Sequence, residues 1–329
     1  MKYDFITIGG STEDITLYTR DGKVIDNKDD VLCQKLFAFE YGAKLKVDRS
    51  FSSFGGGASN AAVCLSKIGF KVASLVSIGD DNRGREVLTN FKKNKVKTNL
   101  IQINKETETG FSFLIVGPGS EHVVFSNRAA NNELHIGVGA VSAIKKSKWV
   151  YITSLGGKWN TVLDGVFSAE GVKKAWNPGH IQLKAGFNAI GQYLEKTDML
   201  TVNKDEAIEL VVSKKEYRDK DAMFLNNSKN LLKVIQSWGP RIVVVTDGKN
   251  GANAYDGENY YHQDIIEEQK RVDTTGVGDA FGSTFTAGLE MYHGDIQKAM
   301  LAGVKNTASV IGKQGAQNGL LAQDDFTIH

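Results

Sequence analysis

The strongest constraint on how this chain can fold is an alternation: short apolar runs of strand length recur between longer runs with helical spacing. Residues 5–8, 72–78, 149–153, 199–202 and 241–246 form the first set, short and rich in Val, Ile, Thr or aromatic side chains. Residues 59–68, 184–194, 205–212 and 225–238 form the second, with Gly69 placed to end the first of these helices in a left-handed turn. Alternation of this kind predicts a mainly parallel sheet with helices on its faces. Two regions break the rhythm. Residues 15–50 hold the acidic run Asp26-Asn-Lys-Asp-Asp30 and the aromatic segment Phe37-Ala-Phe-Glu-Tyr41. Residues 107–126 alternate more like β structure, and 111–116, a Gly117-Pro-Gly119 turn and 122–125 read as a hairpin. Both regions are expected in a small separate sheet.

At 329 residues and 41% hydrophobic composition, the chain can bury a full core, and its length suits about two domains. Its 40 basic and 38 acidic side chains leave a net charge of +2. That balance gives no reason to expect nucleic acid or an anionic membrane as partner. The two cysteines are Cys33 and Cys64, too few for a disulfide framework and without zinc-site spacing. Cys64, in Ala61-Ala-Val-Cys-Leu65, reads as a buried thiol. No signal-peptide pattern opens the chain and no apolar run approaches the roughly 20 residues that span a bilayer. A cytoplasmic location is therefore expected.

Three glycine-rich places carry the chemistry. Phe54-Gly-Gly-Gly-Ala-Ser-Asn60 runs into a helix. Its small residues let backbone approach a ligand, and Asn60 can either bind a sugar hydroxyl or cap the helix. Ile78-Gly-Asp-Asp-Asn-Arg-Gly84 follows a strand and, alone, reads as a turn. Asp273-Thr-Thr-Gly-Val-Gly-Asp279 leads into a helix with apolar positions at Phe281, Phe285, Ala287 and Leu289. Backbone N–H groups in such a turn make an anion site that the helix dipole reinforces. Asp279 is then either a carboxylate that suits the helix start or a base at the mouth of that site. The loop is neither a Walker A sequence nor a dinucleotide fingerprint. Asn203-Lys-Asp-Glu206 alone reads as a helix cap with an acidic first turn.

Together these motifs resemble the PfkB, or ribokinase-like, family of carbohydrate and nucleoside kinases. The resemblance rests on Gly55–Asn60 through Gly79-Asp80 and Gly84, and on Asp273–Asp279 with Ala280-Phe281. Weaker matches are Gly10 with Asp14, Asn203 with Glu206, Val245-Thr-Asp-Gly248 with Gly251, and Gly315-Ala316. It implies a doubly wound α/β kinase domain over 1–14, 51–106 and 127–329, with a discontinuous β-sheet lid over 15–50 and 107–126. It implies an ATP-dependent phosphotransferase acting on a hydroxyl of a sugar or nucleoside. Asp279 would be the base, and Thr275, Gly276, Val277 and Gly278 the anion hole. Asp14, Gly56, Gly57 and Asn60 would hold substrate, while Asn203, Thr246, Gly248, Gly251 and Asn306 would hold nucleotide. Glu206 would reach the Mg²⁺ of MgATP through water. Asp273, Thr275, Val310, Lys313 and Gly315 would form a monovalent-cation site suited to K⁺. Relatives often dimerise through their lids, so the resemblance allows a homodimer.

The chain departs from the family pattern at Gly57, where ribokinases proper carry lysine, which speaks against ribose itself. Phe37, Phe39 and Tyr41 can cover a nucleobase or simply pack within the lid. Arg83 and Arg128 can contact a substrate phosphate or be solvated surface side chains. A sugar or nucleotide sensor that kept the fold without the chemistry is the alternative from another class.

Overall fold

The computed structural model describes residues 2–26, 35–117, 122–267 and 271–326. Cys33, the acidic run beyond Asp26 and the Pro118-Gly119 turn lie outside the described residues. In chain order the first strands are β1 (Tyr3–Ile8), β2 (Thr12–Tyr18), β3 (Lys23–Asp26), β4 (Lys35–Ala38), β5 (Arg49–Gly55), β6 (Val72–Leu75), β7 (Ser77–Gly79) and β8 (Gln102–Asn104). The rest are β9 (Phe111–Val116), β10 (His122–Asn127), β11 (Ser147–Ile152), β12 (Lys173–Trp176), β13 (Met199–Asn203), β14 (Ile242–Thr246), β15 (Ala252–Tyr255) and β16 (Tyr260–Gln263).

Eight strands form the main sheet in the order β16-β15-β14-β13-β12-β11-β1-β6. Neighbours from β6 to β14 run parallel, and β15 and β16 close one edge antiparallel. The continuous apolar character of the inner strands follows from this position, because strands covered by helices on both faces bury every side chain. Phe5, Ile6 and Ile8 of β1 and Val243, Val244 and Val245 of β14 are indeed fully buried. The order reverses around β1, so a crevice opens beyond the carboxyl ends of the strands, where open α/β sheets bind ligands.

A second sheet has the order β10-β9-β2-β5, and β3 and β4 form a separate ribbon. β9 and β10 make the expected hairpin, pairing Phe111 with Asn127 and Val116 with His122. β2 pairs with β5 from Thr12↔Gly55 to Tyr18↔Arg49. The small sheet thus begins at Thr12 and extends to Gly55, so Asp14 and residues 51–55 belong to it rather than to the α/β layer.

Local breaks also differ from the expected ones. The run 184–194 is two helices, His180–Ala185 and Phe187–Leu194, parted at Gly186 with φ 75°. The run 225–238 also begins afresh, as Ala222–Leu225 and Ser228–Gln236, because the Asn227 side chain accepts from the Lys229 amide and starts a new helix. The run 72–78 is divided between β6 and β7. Among the described residues no helix is long and apolar enough to cross a membrane.

Candidate active site

Two helices meet beneath the crevice. The Gly57–Lys67 helix starts at an N-cap, Gly56, with φ 86° and no side-chain cap bond. Asn60 is therefore free of the capping role that its sequence position allowed. The Val277–Met291 helix starts at Gly276, in the left-handed region with φ 74°. Asn60, 5% exposed, donates from Nδ2 to Asp279 Oδ2 at 2.8 Å. Its own oxygen accepts from Gln317 at 2.9 Å, and Gln317 in turn accepts from Asn90 at 2.9 Å. This chain of amides fixes the orientation of the Asp279 carboxylate. Asn60, expected among the substrate ligands, is bonded to Asp279, and Gln317, which no motif marked, holds Asn60.

Burial pushes the Asp279 carboxyl above the ordinary range; the Asn60 hydrogen bond pulls down, and the negative charge of Asp14 pushes up again. The Asp14 carboxyl is likewise raised, first by burial, against hydroxyl hydrogen bonds from Thr12 and Ser112. Asp14 sits over Gly55, where a Cβ would lie 1.8 Å from its Oδ2. Gly57 backs onto Thr153 and Asp279, and a Cβ there would lie 2.8 Å from Thr153 Cβ and 3.1 Å from Asp279 Oδ1. No lysine fits at Gly57 without displacing its neighbours.

Two cavities lie near this carboxylate, one walled in part by Gly57, which backs onto Asp279, and the other by Gly278, its neighbour in the chain. One, of about 210 Å³, is lined by Gly10, Thr12, Asp14, Gly56, Gly57, Ser112, Ser126, Arg128, Asn131 and Ser154 among others. The other, of about 360 Å³, has Asn203, Thr246, Gly248, Gly251 and Gly278 along one part of its wall, with Lys249 and Arg271 as its cations. Ile265, Ile266, Val277, Phe281, Val304 and Ile311 make its apolar wall. Gly56 and Gly57 thus face the first cavity, and all but one of the expected nucleotide residues face the second.

Asn306 is the exception. It is fully buried and donates to Thr284 Oγ1 at 2.7 Å, and it accepts from the Leu321 amide at 3.0 Å. On the Ile296–Ile311 helix, Val304, Thr307, Ala308 and Ile311 take the cavity face, a spacing of three and four that leaves Asn306 on the opposite side. It joins this helix to the Val277–Met291 helix through Thr284, and to Cys64 of the Gly57–Lys67 helix at 3.3 Å. Burial raises the Cys64 thiol, in keeping with an inert core cysteine.

One carboxylate oxygen of Glu206 is committed to the start of its own helix. Asn203 and Glu206 form a reciprocal capping box: Glu206 N donates to Asn203 Oδ1 at 2.9 Å, and Asn203 N to Glu206 Oε2 at 2.8 Å. Burial raises the Glu206 carboxyl despite this amide. The cap reading of the sequence thus describes Glu206, while Asn203 also reaches the nucleotide-sized cavity.

Asp273 acts as a strut. Its Oδ1 accepts from the Thr275 amide at 2.9 Å and hydroxyl at 2.7 Å, and its Oδ2 from the Gly315 amide at 2.9 Å. Val310 accepts the Lys313 amide at 3.0 Å in the turn leading to Gly315. The expected cation residues therefore do gather, and Asp273 itself ties the glycine loop to the end of the Ile296–Ile311 helix. Gly278 faces open space, with nothing within 4 Å of a built Cβ. Its amide belongs to the first helical turn, whose N–H groups have no acceptor within the helix.

The Gly79–Gly84 motif proves structural. Asp81 caps the Asn82–Lys93 helix through the Gly84 amide at 2.7 Å, and accepts from the Thr109 amide and hydroxyl, each at 2.7 Å. Burial works against ionisation of Asp81, but these three donors prevail and hold its pKa below the usual value. Arg83 is no phosphate ligand here: its Nε meets Glu13 Oε2 at 3.0 Å, and its guanidinium lies 4.4 Å over the Phe111 ring. These contacts dock the small sheet on the helix. Since the folded pKa of Asp81 is depressed, its stabilisation is present above the ordinary carboxylate range and is lost as pH falls through the folded value. Asp81→Ala is expected to cost about 1–3 kcal/mol at neutral pH, read as a lower Tm, with the deficit relative to wild type shrinking in acid.

The match to known proteins fits this geometry. Residues 29–323 match the profile described as pfkB family carbohydrate kinase. The chain belongs to the pfkB family. This PfkB protein is accordingly a phosphotransferase with an alcohol group as acceptor. It is 25% identical over 267 residues to the ATP-dependent ribose-1-phosphate kinase of Halopiger xanaduensis, covering 81% of this chain and 83% of that protein. It is 25% identical over 299 residues to a 5-dehydro-2-deoxygluconokinase of Bacillus anthracis, covering 88% and 89%. In structure it is similar to a ribokinase from Thermotoga maritima, with a TM-score of 0.80, 19% identity and 98% of each chain covered. A Burkholderia thailandensis nucleoside kinase in complex with inosine gives a TM-score of 0.78 at 16% identity, covering 98% and 94%. The fold of the PfkB protein is thus ribokinase-like, a mainly parallel sheet flanked by helices with a small separate sheet.

Proposed function

We propose that this PfkB protein transfers the γ-phosphoryl group of MgATP to a hydroxyl or hydroxymethyl group of a monosaccharide, with Asp279 as the base. The observation that carries this reading is that Asp279 adjoins residues of both cavities, which differ in character: its Oδ1 lies beside Gly57 in the wall of the first, and its chain neighbour Gly278 stands in the wall of the second. On one side lie hydroxyls, amides and the Asp14 carboxylate, groups that suit a polyhydroxylated molecule. On the other lie an apolar slot for a base and two cations for phosphates. A carboxylate at the junction can take the proton of an attacking hydroxyl, while the amides around Gly276–Gly278 stabilise charge on the phosphoryl group in flight. Mg²⁺ on the nucleotide would neutralise phosphate charge, and the Glu206 oxygen outside the capping box suits a water of its hydration shell. K⁺ at Asp273, Thr275 and Gly315 would reinforce the strut that Asp273 already makes, with Val310 and Lys313 supplying only the surrounding turn.

The sugar reading is favoured over a nucleoside by the smaller cavity, about 210 Å³, below the roughly 300–1,000 Å³ of drug-sized sites. Phe37, Phe39 and Tyr41 do not line it: Phe37 and Phe39 pack edge-on at 4.6 Å, and Tyr41 is fully exposed. A sensor would have no use for a carboxylate oriented beside a glycine-rich anion loop. Incubation with γ-labelled ATP and ribose, fructose, 2-keto-3-deoxygluconate, adenosine and cytidine tests the proposal. Label is expected in a sugar; label in nucleosides alone would favour the nucleoside kinase, and label in none the sensor.

Asp14 should act mainly on binding. Its carboxylate already accepts the Thr12 hydroxyl at 2.9 Å and offers its remaining lone pairs to substrate hydroxyls. Asp14→Asn is expected to raise the sugar KM about 10–100-fold while the KM for ATP stays near wild type. An unchanged sugar KM would remove Asp14 from the substrate site.

A further inference from the structure

The sugar-sized cavity has one cation in its wall, Arg128, at the N-cap of the short turn after β10. Among the described residues its guanidinium makes no ion pair and no hydrogen bond, whereas Arg83 is held by Glu13 and Glu108 and Arg241 by Asp198. Two other polar groups of the wall are already engaged within the protein. Asn131 bonds both the amide and the carbonyl of Ser11, at 2.8 and 3.0 Å. The one acidic lining residue, Asp14, accepts the hydroxyls of Thr12 and Ser112. Gly156 makes room for the arginine stem: a Cβ there would lie 3.3 Å from Arg128 Cδ and 2.2 Å from Asn132 Oδ1.

A neutral sugar would leave this guanidinium without a partner. Its fork of donors matches a carboxylate or phosphate, which accept two parallel hydrogen bonds. We infer that Arg128 reads an anionic group on the acceptor sugar, so that the substrate is a sugar acid or a sugar phosphate, phosphorylated at a hydroxyl remote from that group. The inference rests on the kinase reading above for the reaction but not for the binding. Arg128 is a specificity determinant, with Asp14 and Asp279 at the reacting end.

Titration calorimetry with a non-hydrolysable ATP analogue present separates the two. The probes are matched pairs: ribose 1-phosphate against ribose, and 5-dehydro-2-deoxygluconate against its C1 alcohol. In the wild type the charged member of one pair should bind about 10–100-fold more tightly. The pair that shows this preference tells phosphate from carboxylate. In Arg128→Met the ratio should fall to near one, and Arg128→Lys should restore part of it, while affinity for the ATP analogue is unchanged. A wild type that prefers neither charged member, or a ratio that survives Arg128→Met, overturns the inference. So does an Arg128→Met that loses the ATP analogue, which would put the guanidinium on the nucleotide. Arg128-dependent binding of a charged sugar that is never phosphorylated would refute the kinase reading alone.

Discussion

Asp279→Asn is expected to lower kcat by about 10²–10⁴-fold while MgATP and sugar still bind. The change is nearly isosteric, and Asn60 can still donate to the amide oxygen in place of the carboxylate it now meets at 2.8 Å. Only the capacity to accept a proton is lost. The fold should not suffer. Burial raises the Asp279 pKa, so the folded state holds the proton more tightly than the unfolded one. Whatever stability this carboxyl contributes is fullest below the ordinary carboxylate range and is lost as pH rises through the raised value. At neutral pH its charge is a liability that the amide removes, and Tm should be equal or higher. Strained or desolvated catalytic groups commonly cost stability in this way. A variant that loses turnover together with Tm would instead report damage to the fold.

Gly276→Ala should be nearly as harmful by a different route. The residue has φ 74°, and a Cβ would come within 2.3 Å of Ala316 Cβ. The left-handed backbone alone costs a non-glycine residue about 1–2 kcal/mol, and the clash with Ala316 must be relieved by moving the loop. That motion displaces the amides proposed to face the phosphoryl group, and loss of such donors costs about 10²–10³-fold in kcat. Gly171→Ala provides the comparison: it has a similar φ, 74°, but nothing within 4 Å of the new Cβ. It should show the backbone cost in Tm and leave kcat unchanged. Equal kcat for Gly276→Ala and wild type would detach the glycine loop from catalysis.

Much of the architecture was legible because it depends on local patterns. Each of the five expected apolar runs holds a strand of the main sheet that begins within two residues of it, and the β9–β10 hairpin falls where alternation placed it, whereas β12 (Lys173–Trp176) and β15 carried no such run. The boundaries that moved did so through single residues, such as Gly186 at φ 75°, which periodicity over a long window does not register. Asp14 moved from one layer to the other because the small sheet is defined by the pairing of β2 with β5, a contact between distant segments. The same limit applies to the site. Thr246, Gly248, Gly251 and Asn203 reached the nucleotide-sized cavity as expected, since each lies at or just past a strand's carboxyl end. Asn306 did not, because the face of a buried helix that meets a cavity is set by packing against two other helices. Asn60 could be read as cap or ligand; its actual partner, Asp279, is 219 residues away. Gln317 and Arg128 owe their places to tertiary contacts that no local motif signals.

The central claim is that Asp279 accepts the proton of the substrate hydroxyl, and the pH dependence of kcat/KM tests it most directly. The wild type should lose activity as pH falls, with a midpoint above the ordinary carboxylate value, because burial raises the Asp279 pKa. Asp14 is raised as well, so the decisive comparison is with Asp279→Asn, whose residual activity should lack that acidic limb. The same limb persisting in Asp279→Asn would contradict the assignment of Asp279 as the base.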